Sequence, residues 1–187
     1  LWSQLDVEAG FVVRTDDADE GSWDVLVDAR GADAVIAALE KAGAVPASGD
    51  VLEAMRIDAG RPAFGVDMTG DTIPLEAGLL ERAISQTKGC YVGQEVIIRV
   101  LHRGGGRVAK RLVRIVCDED GVAVPSAGAI VSADDKDVGL VTSAVWSARI
   151  GRAIALGYVS REVAETGRKV TLLWPDGKLT GVMPAAT

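Results

Sequence analysis

Within the eight residues Lys88-Gly89-Cys90-Tyr91-Val92-Gly93-Gln94-Glu95 lie a thiol, an ammonium, a phenol, a carboxamide and a carboxylate. Cys90 is the sharpest chemical candidate. The nearby Lys88 cation, or the N-terminus of a helix starting near Gly93, would favour the reactive thiolate. Gly89 and Gly93 allow backbone shapes that other residues resist. The plain alternative is that Cys90 is a small buried hydrophobe. That reading suits Cys117, which sits among Val113, Ile115 and Val116. Gln94 and Glu95 could cap a helix or bind a polar ligand, and spacing leaves both open. His102-Arg103-Gly104-Gly105-Gly106 could hold a phosphate or serve as a hinge into the next domain, and the hinge is the simpler reading. From Arg99 to Arg114 the chain carries Arg99, Arg103, Arg107, Lys110, Arg111 and Arg114 without one acidic residue. Such a run is either a solvated face or an anion-binding strip.

Elements must position these groups. Phe11–Arg14 and Trp23–Val27 read as two strands around the acidic turn Asp16–Gly21. Asp33–Ala42 has helical spacing, with Val35, Ile36 and Leu39 on one face and Gly43 as the stop. Asp50 with Glu53 makes a capping-box pattern that opens a helix ended by Gly60 and Pro62. Arg56 lies on that helix. Residues 61–106 are rich in glycine and proline and are expected to wrap around a site. Beyond them the pattern is all-β. Candidate strands are Val108–Val116, Ala129–Ser132, Val138–Trp146, Ala153–Val159, Lys169–Trp174 and Lys178–Met183. Arg161–Thr166 is a helical link, and Asp176-Gly177 is a hairpin turn of type I′ character. Regular short strands of this kind predict a small antiparallel barrel. Trp2, Trp23, Trp146 and Trp174 read as packing residues.

Composition bounds the rest. The chain has 187 residues, 48% hydrophobic and 25% charged, as in an ordinary folded protein. Aromatics are only 4%, so the core must be built from Val, Ala, Leu and Ile. Net charge −7 argues against general nucleic-acid binding, DNA included. No apolar run is long enough to span a membrane. Two cysteines and one histidine leave no disulfide framework and no His-rich metal site, which points to a reducing, cytoplasmic setting. The chain begins at Leu1 rather than Met, which predicts a cut N-terminus.

The octapeptide Lys88–Glu95 resembles the signature of YgfZ-like folate-binding proteins, a branch of the glycine-cleavage T-protein superfamily. Arg56-Ile57-Asp58-Ala59-Gly60, Phe64–Met68, Ile73–Leu79 and His102-Arg103-Gly104 resemble further stretches of that family. Val138–Ser143 and Ile154–Val159 resemble its C-terminal barrel. The resemblance implies an α+β fold: a ferredoxin-like α+β part of a T-protein-type folate-binding fold over residues 1–106, its N-terminal portion missing, then a small antiparallel Greek-key barrel over 107–187. It implies tetrahydrofolate as cofactor and iron–sulfur enzymes as possible clients, with effects on tRNA modification. Cys90 and Lys88 become the catalytic candidates. Arg56, Asp24, Tyr91, Gln94, Glu95, Arg99 and Arg103 become the cofactor-binding candidates. The alternative activity is tetrahydrofolate-dependent aminomethyl transfer, although T-proteins proper lack the Cys-containing octapeptide. A third possibility is a barrel module with no site of its own.

Overall fold

The computed structural model describes residues 3–7, 10–15, 21–103, 105–118, 123–164 and 167–184. Trp2, the turn residues Asp16–Glu20, Gly104 and the end of the expected link at Glu165 and Thr166 lie outside the described residues. The chain divides by its contacts into two units, Leu1–Arg61 and Pro62–Thr187.

The first unit opens with an antiparallel meander of β1 (Ser3–Val7), β2 (Gly10–Thr15) and β3 (Ser22–Val27), in the order β1-β2-β3. The β2–β3 register sets Val13 opposite Asp24 and Arg14 opposite Trp23. Asp28 then starts a 3-10 turn. Its carboxylate accepts from the Arg30 N–H at 2.9 Å, and the Arg30 side chain, then its backbone N–H, hold the Asp28 pKa below the ordinary value. Two helices follow, α1 (Ala32–Lys41) and α2 (Gly49–Asp58). Gly43 and Gly60, both at positive φ, follow their ends, as expected of residues that need no Cβ there.

Two expectations for this unit are corrected. Asp50 forms no capping box: Ser48 precedes the helix without a side-chain cap bond, and Glu53 instead pairs with Arg56. Guanidinium three residues on is the stronger partner for that carboxylate. Trp23 is no packing residue, being 60% exposed, with the Arg14 guanidinium 5.9 Å from its ring centre. The apolar stripe of α1 forms, but Ile36 and Leu39 stay exposed. Ile57, Asp58 and Ala59 at the end of α2 are buried.

The second unit is dominated by a closed barrel. Its strands are β4 (Lys110–Cys117), β5 (Ile130–Ala133), β6 (Lys136–Ser147), β7 (Arg152–Ser160), β8 (Lys169–Trp174) and β9 (Gly177–Val182). The order is β4-β7-β6-β5-β8-β9, and β9 returns to β4. Strands β5, β6 and β7 form a meander and β4 lies beside β7, a Greek-key arrangement. Closure removes the exposed edge a flat sheet would carry. Alternate residues fill the interior: Ile115, Cys117, Val131, Val141, Val159, Leu172 and Leu179 are nearly or fully buried. Small residues permit the tightest approach. A Cβ on Gly139 would lie 1.9 Å from the Tyr158 carbonyl oxygen on the neighbouring strand. The link after β7 is a 3-10 turn, Arg161–Val163.

The β8–β9 hairpin forms, but its turn is not centred where expected. Pro175 and Asp176 make the turn, and Gly177 already pairs with Trp174. A Cβ on Gly177 would meet the Trp174 ring at 2.4 Å, so close approach is what requires glycine here. The left-handed hairpin turn lies elsewhere, at Asp134 and Asp135 between β5 and β6, with φ of 49° and 59°.

Residues 62–79 form a strap bonded to this barrel. The Leu112 N–H donates to the Glu76 carbonyl at 2.8 Å. Asp67, 3% exposed, accepts from the Ala63 N–H at 2.9 Å and from the Ser143 hydroxyl at 2.7 Å, and also from the Thr142 hydroxyl. Neighbouring strand residues normally point to opposite faces. A register shift between Val141 and Ser143 breaks that alternation, and Asp67 Oδ1 takes both hydroxyls. Leu80–Ala83 (α3) leads from the strap toward the octapeptide.

Candidate functional site

The octapeptide forms a short loop closed on itself. The Lys88 N–H donates to Ser85 Oγ at 3.1 Å. The Tyr91 N–H donates to Gln94 Oε1 at 3.1 Å, and the Gln94 N–H donates to the Tyr91 carbonyl at 3.3 Å. Between them Gly93 takes φ 85°, a left-handed value that suits glycine. The helix expected near Gly93 follows as α4 (Gln94–Ile98), and Ile97 is its buried anchor. The Gln94 side chain thus closes the turn Tyr91–Gln94 and does not cap α4, whose N-terminus has no side-chain cap bond.

From α4 the chain runs on into a π-helical turn, Arg99–Arg103. Such turns are rare and recur at functional sites. The Gly106 N–H then donates back to the Val100 carbonyl at 2.9 Å, where the chain enters the barrel. That placement suits the hinge reading of the glycine run.

Cys90, Tyr91, Gln94, Glu95, Arg99 and His102 line one open cavity of about 740 Å³, with Val96 and Ile98 among its apolar walls. Five of the sequence-derived candidates thus come together. The volume lies within the usual range for small-molecule sites, roughly 300–1,000 Å³. Its chemistry is mixed: a thiol, a carboxylate, a guanidinium and an imidazole beside an aromatic ring and two branched aliphatic chains. Cys90 is exposed, whereas Cys117 is fully buried in the barrel core.

The remaining candidates have other places. Lys88 sets its ammonium 4.8 Å from the Tyr91 ring centre, so its charge stacks on that ring. Arg103 ends the π-helical turn. Arg56 and Asp24 belong to the first unit. Arg56 donates to Glu53 at 2.8 Å and to the Arg61 carbonyl at 2.5 Å, which ties off the end of α2. Asp24 is exposed on β3. Among the described residues no cluster of His, Cys, Asp and Glu could hold a metal ion.

Sequence reasoning left three features aside. His102 was read as hinge but lines the cavity. Val96 and Ile98 supply its apolar wall, and no periodicity in Gln94–Ile98 marked them in the sequence. Asp67 was unmarked, although a buried carboxylate needs partners and the adjacent pair Thr142-Ser143 offers two hydroxyls.

Residues 110–183 match the family model for the glycine cleavage T-protein C-terminal barrel domain. Over 90% of its length the chain is 31% identical to an aminomethyltransferase of Picosynechococcus, covering 45% of that protein. It is 32% identical to an aminomethyltransferase of Nostoc over 86% of its length, covering 42% of that protein. Its fold matches the glycine cleavage system aminomethyltransferase T of Bartonella henselae with a TM-score of 0.80, at 20% identity, over 96% of this chain and 49% of that one. Residues 110–183 are thus a barrel of the T-protein C-terminal type, and the chain shares its fold with aminomethyltransferase T. The chain spans about half the length of the curated relatives it matches. The T-protein barrel assignment coincides with β4–β9. Among the described residues no helix is long and apolar enough to cross a membrane.

Proposed function

We propose that this chain is part of a tetrahydrofolate-binding protein of the T-protein superfamily, with the Cys90 cavity as a ligand site. The observation that carries the reading is the convergence of Tyr91, Glu95, Arg99 and His102 with two aliphatic side chains on one cavity of about 740 Å³. The donor set fits a folate. Tyr91, Val96 and Ile98 offer flat apolar contact to a ring system. Glu95 can accept from ring N–H groups, and Arg99 can hold a carboxylate. Bound tetrahydrofolate supplies the ring nitrogens that carry a one-carbon unit. Arg56 and Asp24 are proposed folate contacts of the first unit. A folate titration followed by tryptophan fluorescence tests this. Saturable binding weakened about tenfold by Arg99→Ala supports it, because a lost charge-assisted bond of roughly 1.5 kcal/mol has that effect. Absence of any binding refutes it.

The cytoplasmic, YgfZ-like role in iron–sulfur cluster assembly or repair, with its link to tRNA modification, is favoured by the exposed thiol of Cys90 on the cavity wall. Lys88 and Cys90 are its proposed catalytic pair. Cells carrying Cys90→Ala should then lose iron–sulfur enzyme activity. The second reading is aminomethyl transfer to tetrahydrofolate, favoured by relatives called aminomethyltransferase at 31% and 32% identity. It predicts methylene-tetrahydrofolate when protein and folate meet an aminomethyl-loaded lipoyl carrier protein, with Cys90→Ala still active.

A further inference from the structure

A second cavity, of about 190 Å³, opens on the outside of the barrel across β5, β8, β9 and the end of β4. Its position follows from the register. Ser132 on β5 pairs with Thr171 on β8, and Thr171 pairs with Thr180 on β9. The Asp118 N–H, just past β4, donates to the Thr180 carbonyl at 2.9 Å. These four residues stand in one row, neighbours about 5 Å apart along the sheet. Val131, Ala133, Val170, Leu172 and Leu179 fill the barrel interior, so the hydroxyl residues that alternate with them face outward. Lys169, two residues before Thr171, shares that outer face. The left-handed turn after β5 brings Asp134 to the same cavity.

Asp134 is matched by the Arg168 guanidinium. The other two charged groups that line the cavity are Asp118 and Lys169, one of each sign. Their backbones lie two strand spacings apart, roughly 10 Å, with Thr180 on the strand between. A hydroxyl both donates and accepts, so the row can serve either end of a ligand. The volume falls below the roughly 300–1,000 Å³ of drug-sized sites, so the ligand is small. Lys169 repels a lone cation and Asp118 a lone anion, whereas a ligand that carries both charges meets a partner for each. Among the described residues no aromatic ring lines the cavity, so a neutral sugar finds no stacking platform. We propose that this groove binds a small zwitterion, a free α-amino acid, with its carboxylate toward Lys169 and its ammonium toward Asp118. This site belongs to the barrel alone and stands whether or not the Cys90 cavity holds a folate.

The test titrates the 187-residue chain with three probes and follows its backbone amides by NMR. The probes are L-alanine, propionate, which lacks the ammonium, and ethylamine, which lacks the carboxylate. L-alanine should give saturable shifts at the Thr171 and Thr180 amides. Propionate and ethylamine should each need roughly tenfold more ligand for half-saturation, since each forfeits one charge-assisted contact. Lys169→Gln and Asp118→Asn should each raise the half-saturation for L-alanine by about tenfold, and Thr171→Val by a smaller factor. The amide spectrum of each variant shows that it is folded. Absence of a saturable shift at these amides overturns the proposal. So does propionate or ethylamine binding as tightly as L-alanine, because one charge alone is then being read. Unchanged half-saturation in both charge variants overturns it too. Shifts confined to Glu95 and His102 would place the amino acid in the Cys90 cavity and overturn it as well.

Discussion

Ser143 Oγ donates to Asp67 Oδ1 at 2.7 Å across 76 residues of sequence. One carboxylate thereby holds the strap of residues 62–79 to the bulge of β6. The strap leads through α3 into the octapeptide, so this bond belongs to the scaffold of the candidate site.

Replacing Asp67 by Ala removes the acceptor for the Thr142 and Ser143 hydroxyls and for the Ala63 N–H. Hydrogen bonds to a charged group contribute about 1.5–3 kcal/mol, and the buried donors left behind add to the cost. Urea unfolding should show a loss of about 3 kcal/mol. Asp67→Asn should also destabilise, because its amide cannot accept at both oxygen positions. A loss below about 0.5 kcal/mol in both variants would mean that the strap is held by other contacts.

Tyr158 provides a pH prediction. Burial, then the charges of Asp67 and Glu76, push its pKa from 10.0 to about 12. A raised folded-state pKa contributes stability that is complete below the unfolded value and is lost as pH rises through the folded one. Unfolding stability should therefore fall between pH 10 and pH 12. Tyr158→Phe should flatten that part of the profile. Equal slopes in the two proteins would show that Tyr158 is not the group responsible.

The cysteines should separate cleanly. Cys90 is exposed and Cys117 is fully buried. Iodoacetamide at neutral pH should label Cys90 while Cys117 reacts only on unfolding. Cys90→Ala should leave stability nearly unchanged. Cys117→Ala should cost on the order of 1 kcal/mol through a small core cavity. Labelling of Cys117 before Cys90 in the folded protein is the contrary result.

Two glycines should fail for different reasons. Gly93 has φ 85° and open space around its missing Cβ, so Gly93→Ala should cost about 1 kcal/mol from backbone strain alone. Gly139→Ala would drive a methyl to 1.9 Å from a carbonyl of β7 and should cost several times more, with the barrel strands forced apart. Thermal melts of the two variants give the comparison. Similar melting temperatures would contradict it.

The barrel was legible because its strands alternate apolar and polar residues at regular spacing, and period 2 is a local signal. Lys169–Trp174 coincides with β8 for that reason. The hairpin at Asp176-Gly177 was legible as a turn but not in its register. Gly177 is glycine because Trp174 lies over it, a contact between strands that no dipeptide rule contains. Asp134-Asp135 escaped notice because non-glycine residues rarely adopt positive φ at successive positions. In the site, the octapeptide announced itself by residue type, and Gly93 announced the helix start. Arg99 was marked by its charge, but its place beside His102 on one cavity wall was not, since that depends on a π-helical turn that has no composition signature. Asp67 was invisible for a related reason. Its partners lie 75 and 76 residues away, on a strand whose bulge cannot be read from sequence.

Protection of Cys90 tests the central claim most directly. The rate of iodoacetamide labelling at Cys90 is measured by mass spectrometry, with and without saturating tetrahydrofolate, in the wild-type chain and in Arg99→Ala. If the cavity holds the folate, ligand slows labelling at Cys90 by about tenfold in wild type, and Arg99→Ala needs roughly tenfold more folate for the same protection. If folate binds while Cys90 labels at an unchanged rate, the ligand sits elsewhere and the cavity is not the folate site.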